Sequence, residues 1–259
     1  MKLTGKKTNS SLHPIVYYII IFLAIGAIGM SIANKKADRK VRNQRWLKYF
    51  TYIFITGAVV LGIFYDFIFV IAIFIVAASL VELLKVNFFQ NKNLLLQGVL
   101  SILVFAIIAT GFILFIKNFH PSFLLFIYFQ VLVFDGFCQI TGQIFGKHKL
   151  APKISAAKTV EGLAGGWLFC LIAAILASGW INISLTIAVL SGILTGLSSF
   201  AGDILASWYK RKVNVKDYSN WLPGQGGFLD RFDSFLMTGL IYYLLYLTIF
   251  KDRFGEFVN

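Results

Sequence analysis

Apolar residues fill most of this chain in long runs, and the polar residues gather between them. The runs cover residues 15–32, 49–84, 94–116, 122–140, 162–180, 183–206 and 233–250. A helix crossing a hydrocarbon core of ~30 Å needs about 20 such residues. The run 49–84 is too long for one crossing, because as a single helix it would measure about 54 Å. Asp66 interrupts it, and two spans joined by a tight turn near Asp66 fit better. The pattern therefore predicts an all-α polytopic membrane protein of about eight transmembrane helices. The first run lacks a small-residue cleavage site and is followed by a strongly basic segment, so it reads as a retained span and not a signal peptide. No internal repeat, low-complexity tract or soluble domain interrupts the pattern.

Composition and charge sharpen this picture. Of the 259 residues, 58% are hydrophobic and only 14% charged, well under the roughly 25% charged of soluble domains, and the mean hydropathy is +0.79. The net charge of +13 would suggest nucleic acid in a soluble protein. Here it is better explained by topology and anionic lipid, with no nucleic-acid partner. With eight spans, 18 of the 24 Lys and Arg fall on one side of the membrane, seven of them in the segment 33–48. Treating 49–84 as one span would reduce the bias to 14 against 10. The eight-span reading places both termini outside and the polar loops 33–48, 85–93, 141–161 and 206–231 in the cytoplasm. Trp46, Trp180, Trp208 and Trp221 lie near span ends, where aromatic belts form. Cys138 and Cys170 lie in apolar runs without metal-ligand spacing and read as packing residues.

Candidate chemistry concentrates between the last two runs. Asp203, Ser207, Lys210 and Arg211 share one helical face. After the flexible Pro223–Gly227 turn, Asp230 and Asp233 are three apart and share a face if a helix starts there. A carboxylate, a hydroxyl and cations on one stripe suit a metal-bound polyphosphate. Three converging acids repel unless a cation lies between them, and oxygen-only ligands favour magnesium. Asp203 also costs ~2.5–3.5 kcal/mol within a span, which calls for a function. The plainer alternatives are interfacial snorkelling for Asp203, helix N-capping for Asp230 and Asp233, and a buried structural role for Asp135. Lys210, Arg211, Lys147, Lys149 and Lys212 would serve equally as topology markers, and His148 as a solvated residue between lysines.

These residues carry a resemblance. Ser207, Lys210-Arg211, Lys216-Asp217, Pro223, Gly226-Gly227, Asp230-Arg231 and Asp233 match, in type and spacing, the signature of the phosphatidate cytidylyltransferases, also called CDP-diacylglycerol synthases. A second stretch from Asp135 through Gly142–Pro152 to Ser155–Gly162 resembles the same family, so the likeness runs from Asp135 to Asp233. Four positions depart from it: Gln225 replaces the family histidine, Gln139 a tyrosine, Gln143 an arginine and Ala156 a proline. The resemblance implies transfer of a cytidylyl group from CTP to phosphatidate, giving CDP-diacylglycerol and pyrophosphate. It makes Asp203, Asp230 and Asp233 metal ligands for one or more Mg2+ ions, and makes these acids, with Lys210 and Arg211, the catalytic set. Ser155, Lys158, Thr159, Glu161, Ser207, Lys216, Asp217, Gln225, Arg231 and Asp135 would bind substrates. It further implies a homodimer in the bacterial inner membrane, and a division into an N-terminal transmembrane region 1–134 of four to five spans and a catalytic region 135–259. Other readings are a cytidylyltransferase for another lipid phosphate, a CTP-dependent lipid kinase, and a weakened lipid-binding paralogue, the last favoured by the three glutamines.

Overall fold

The computed structural model of the chain describes residues 8–35, 37–90 and 95–250. The N-terminal seven residues, the C-terminal tail from 251 and part of the expected 85–93 loop lie outside these. The chain forms α1 (Thr8–Ala33), α2 (Arg39–Phe64), α3 (Ile68–Leu84), α4 (Leu95–Asn118) and α5 (Pro121–Phe145), then a hairpin of β1 (Lys149–Ala151) and β2 (Ser155–Thr159). It ends with α6 (Val160–Ser178), α7 (Leu185–Lys212) and α8 (Leu229–Leu245). Short π-helical stretches, Lys85–Gln90 and Tyr246–Phe250, extend α3 and α8.

Seven of these helices are long and apolar enough to cross a membrane. The eighth, α8, has 17 residues and gains its remaining length from the π-helical stretch that follows. The break expected at Asp66 is present: Asp66 adopts φ 64 between α2 and α3, a left-handed conformation that Asp tolerates better than most residues. The basic segment before α2 is less of a loop than its charge suggests. Helix begins at Arg39, because Arg, Lys and Gln have good helix propensity whether or not lipid surrounds them.

The hairpin within 141–161 is an element that the apolar pattern did not reveal. Its antiparallel register pairs Lys149 with Thr159 and Ala151 with Ser155. Two short strands separated by Pro152, Lys153 and Ile154 leave no periodic signal long enough to read.

The centre of the bundle is α5. In its most apolar stretch 78% of residues are buried, against 28–44% in the other spans. Helix α1 packs against α5, α6 lies against α5 and α7, and α8 fits between α4 and α7. Aromatic rings fill the middle: Phe112, Phe115, Phe119, Phe126 and Phe129 are almost fully buried. Large apolar residues such as Ile28, Phe54, Val70, Ile107 and Leu190 point outward and exposed, as a lipid-facing surface requires. The boundary expected at 134/135 falls inside α5, so both regions share this helix.

Candidate active site

Charge gathers at one end of the bundle, where the end of α5, the hairpin, the last turns of α7 and the loop before α8 meet. Helix α7 runs unbroken to Lys212, so Asp203, Ser207, Lys210 and Arg211 occupy successive turns. Gly202 sets the spacing of α7 and α8. A Cβ there would come 2.5 Å from the Asp233 carbonyl oxygen and 2.8 Å from Met237 Cβ. The absent side chain lets Asp203 and Asp233 stand beside each other.

Asp203 is half-exposed and receives the Lys158 ammonium at 2.7 Å, with the Ser207 hydroxyl donating at 3.4 Å. Lys158 comes from the hairpin and lies 5.6 Å from the centre of the Phe200 ring. Asp233 is partly buried, and its Oδ1 accepts the Ser234 N–H at 2.8 Å. Asp203 is the charge that acts on it most strongly, with Lys210, Asp135 and Arg231 also within reach. Asp135 lies within α5, ten residues before its end and not at the close of the span, and accepts the Ser234 hydroxyl at 3.2 Å. Below it a buried polar seam continues between α7 and α8, through Thr238, Ser198 and Ser199 to Thr195 and Tyr242.

Asp230 is engaged differently. Its Oδ1 holds the Lys210 ammonium at 2.5 Å, and its side chain is fully buried. Its Oδ2 accepts the backbone N–H of Tyr218 at 2.8 Å and of Gly227 at 2.9 Å. Tyr218 closes over this pair, with the Lys210 ammonium 5.5 Å from its ring centre. Burial holds the Tyr218 phenol well above its usual range, and its hydroxyl donates to the Ala206 carbonyl at 3.3 Å.

The expected cage of Asp203, Asp230 and Asp233 is therefore not assembled as a unit. The i, i+3 spacing does place Asp230 and Asp233 on one side of α8, but Lys210 and two loop amides occupy Asp230. Among the described residues, no three acidic, histidine or cysteine side chains stand within reach of one metal ion. The carboxylates that Lys210 and the loop amides do not take up are Asp203, Asp233 and Asp135, which lie within electrostatic reach of one another, and Lys158 pairs with Asp203. Two carboxylates with one nearby ammonium suit a hard divalent cation that completes its shell with substrate oxygens and water.

The remaining candidates divide into fasteners and free groups. Thr159 caps α6 by accepting the Gly162 N–H at 3.1 Å. Glu161 accepts the Lys147 and His148 N–H groups at 3.0 and 3.2 Å, and meets His148 Nδ1 at 2.5 Å. It thereby pins the start of the hairpin. Arg211 Nε donates to the Ile154 carbonyl at 3.0 Å, tying the hairpin to α7. Gln225 is buried, and its amide donates to the Lys48 carbonyl on α2 at 2.5 Å. Ser155 is half-buried in β2, whereas Lys216, Asp217 and Arg231 are exposed. Asp217 lines a polar recess with Lys85, Ser219, Asn220 and Trp221.

An apolar cavity of about 220 Å³ adjoins Asp233 between α4, α7 and α8. Leu100, Val104, Phe105, Leu205 and Met237 line it, and Tyr209 and Lys212 stand with them. Leu100, Val104 and Trp208 on its wall are 52%, 46% and 44% exposed, so it opens on the lipid-facing side.

One residue escaped sequence reasoning as a functional candidate. Glu82, in the apolar α3, is 0% exposed and accepts hydrogen bonds from Ser219 and from the first amides of α8. The available signal was its cost, since an acid within a span requires a partner.

The fold and this site define a polytopic membrane protein whose last two helices bring carboxylates together beside an apolar cavity. The chain belongs to the cytidylyltransferase family, whose sequence profile matches residues 10–249. It is 33% identical over 169 residues to a phosphatidate cytidylyltransferase of Staphylococcus aureus (strain COL), covering 63% of this chain and 65% of that protein. A Staphylococcus epidermidis (strain RP62A) protein of the same name is 32% identical over 168 residues, with the same coverage. The uncharacterized protein YnbB of Escherichia coli (strain K12) is 41% identical over 103 residues, covering 39% of this chain and 35% of that protein. The chain thus spans just under two thirds of the length of the Staphylococcus relatives.

Proposed function

We propose that this protein is a CTP-dependent cytidylyltransferase that converts phosphatidate to CDP-diacylglycerol. Family membership and the named activity of the Staphylococcus relatives support the reading. The observation that carries it is the pair Asp203 and Asp233 beside a cavity open to lipid, with Lys158 delivered alongside by the hairpin.

In this reaction a phosphate oxygen of the lipid bonds to the α-phosphorus of CTP. The bond from that phosphorus to the bridging α–β oxygen breaks, and pyrophosphate leaves with the electron pair. Such chemistry depends on placement and charge neutralisation more than on covalent help from the protein. Asp203 and Asp233 would hold a divalent ion, magnesium in this reading, which supplies neutralising charge to the phosphates when bound. Lys158 keeps Asp203 in place and extends positive charge toward the same space. Arg231, exposed on α8 and within electrostatic reach of Asp233, offers a guanidinium to phosphate oxygens. The cavity between α4, α7 and α8 would take an acyl chain and exclude water beside Asp233. The loops holding these groups would face the cytoplasm of a bacterial inner membrane, where CTP is available.

The test is turnover of labelled CTP with phosphatidate and magnesium by purified protein in detergent. The expected products are CDP-diacylglycerol and pyrophosphate. Release of CDP would instead identify a kinase, and no turnover or binding of either substrate would refute the assignment. Asp233→Asn should lower kcat about 100-fold, the typical loss when one electrostatic stabiliser of a transition state is removed.

A further inference from the structure

Glu82 lies 121 residues before Asp203 in the sequence, upstream of the motif stretch Asp135–Asp233 and within the 10–249 that the family profile matches. Its carboxylate is fully buried, and no ion pair among the described residues includes it. Three protein donors satisfy it instead. The Ser219 hydroxyl donates to Oε1 at 2.6 Å, the Phe228 N–H to Oε1 at 2.9 Å, and the Leu229 N–H to Oε2 at 2.9 Å. Those two amides open α8, whose residue Phe228 provides no side-chain cap of its own. The positive end of the α8 dipole is thus the counter-charge for Glu82.

Nearby contacts fit the same role. A Cβ at Gly227 would lie 2.5 Å from both Glu82 carboxylate oxygens, so the chain passes directly over the acid. Phe74, two turns earlier on α3, meets the Phe228 ring edge-on at 5.3 Å. Helix α3 therefore grips the start of α8 with one polar and one aromatic contact. Asp230 and Asp233 follow within the next turn, and any rotation or slip of α8 about its axis would move both.

We propose that Glu82 is a positioning residue: by fixing where α8 begins, it sets the direction of Asp233 toward Asp203 and of Asp230 toward Lys210. The catalytic part of this role rests on the function proposed above. Glu82 touches neither substrate and acts through α8.

The experiment compares wild type, Glu82→Gln and Ser219→Ala as full-length protein in detergent, by hydrogen exchange and by kinetics. Glutamine keeps the volume but offers one acceptor and turns an NH2 toward donors. Losing these charge-assisted bonds should speed exchange in a peptide covering 226–236 by roughly 10- to 100-fold, with peptides of α5 unchanged. The kcat should fall at least about tenfold, by the usual cost of misplacing a reactive group. The magnesium concentration for half-maximal rate should rise, while KM for phosphatidate changes little because α4 and α7 form most of its cavity. Unchanged exchange in Glu82→Gln, or faster exchange with wild-type kcat and magnesium requirement, would overturn the proposal. Should Glu82→Gln fail to fold, Ser219→Ala is read by the same two measurements, with smaller shifts expected and none refuting it. A wild type that never turns over CTP would remove the proposed function, and the exchange measurement, with and without magnesium, would still decide whether Glu82 holds α8.

Discussion

Lys210 and Asp230 share one buried site, and each would be costly there alone. The ammonium is 11% exposed and the carboxylate 0%, so removing either partner strands a charge out of water. Such losses are on the order of 3–5 kcal/mol, whereas an apolar pair of similar volume often restores stability. Lys210→Met and Asp230→Leu should therefore each lower the thermal unfolding midpoint sharply, and the double variant should recover much of it. A double variant that is stable yet inactive would show that the pair also serves chemistry. An additive loss in the double variant would show that the two groups are not coupled.

At the scale of elements, the decisive contact is the close approach of α7 and α8. Gly202→Val would put a branched side chain where the Asp233 carbonyl lies 2.5 Å from a bare Cβ. It should separate the helices, destabilise the protein by roughly 1–3 kcal/mol, and abolish turnover by moving Asp203 from Asp233. Activity assay and unfolding midpoint check both. The spans, the break at Asp66 and the shared face of Asp203, Ser207, Lys210 and Arg211 were legible in the sequence, because each follows from local periodicity. The fate of Asp230 was not. Spacing gives the face of a helix, but Tyr218 and Gly227, in an irregular loop, decide which donors reach that carboxylate. Glu82 was hidden for the same reason, since its partners lie 137 to 147 residues away. The role of Gln225 as a tie to α2 likewise depends on a contact spanning 177 residues.

For the whole molecule, the charge asymmetry between loops makes the proposed cytoplasmic orientation testable. The loops holding the hairpin and the signature stretch also belong to the side with 18 of the 24 Lys and Arg. A Ser155→Cys variant on a background with Cys138 and Cys170 replaced should react with an impermeant thiol reagent in inside-out vesicles and not in intact spheroplasts. Labelling from outside would invert the topology and separate the site from cytoplasmic nucleotide.

The cavity between α4, α7 and α8 opens through exposed Leu100, Val104 and Trp208 toward the lipid side. A substrate arriving by that route never enters bulk solvent, so its chemical activity is a surface density. Diluting phosphatidate with inert lipid at constant total amount should then slow the reaction, while diluting the vesicles themselves in buffer should leave the rate per protein nearly unchanged.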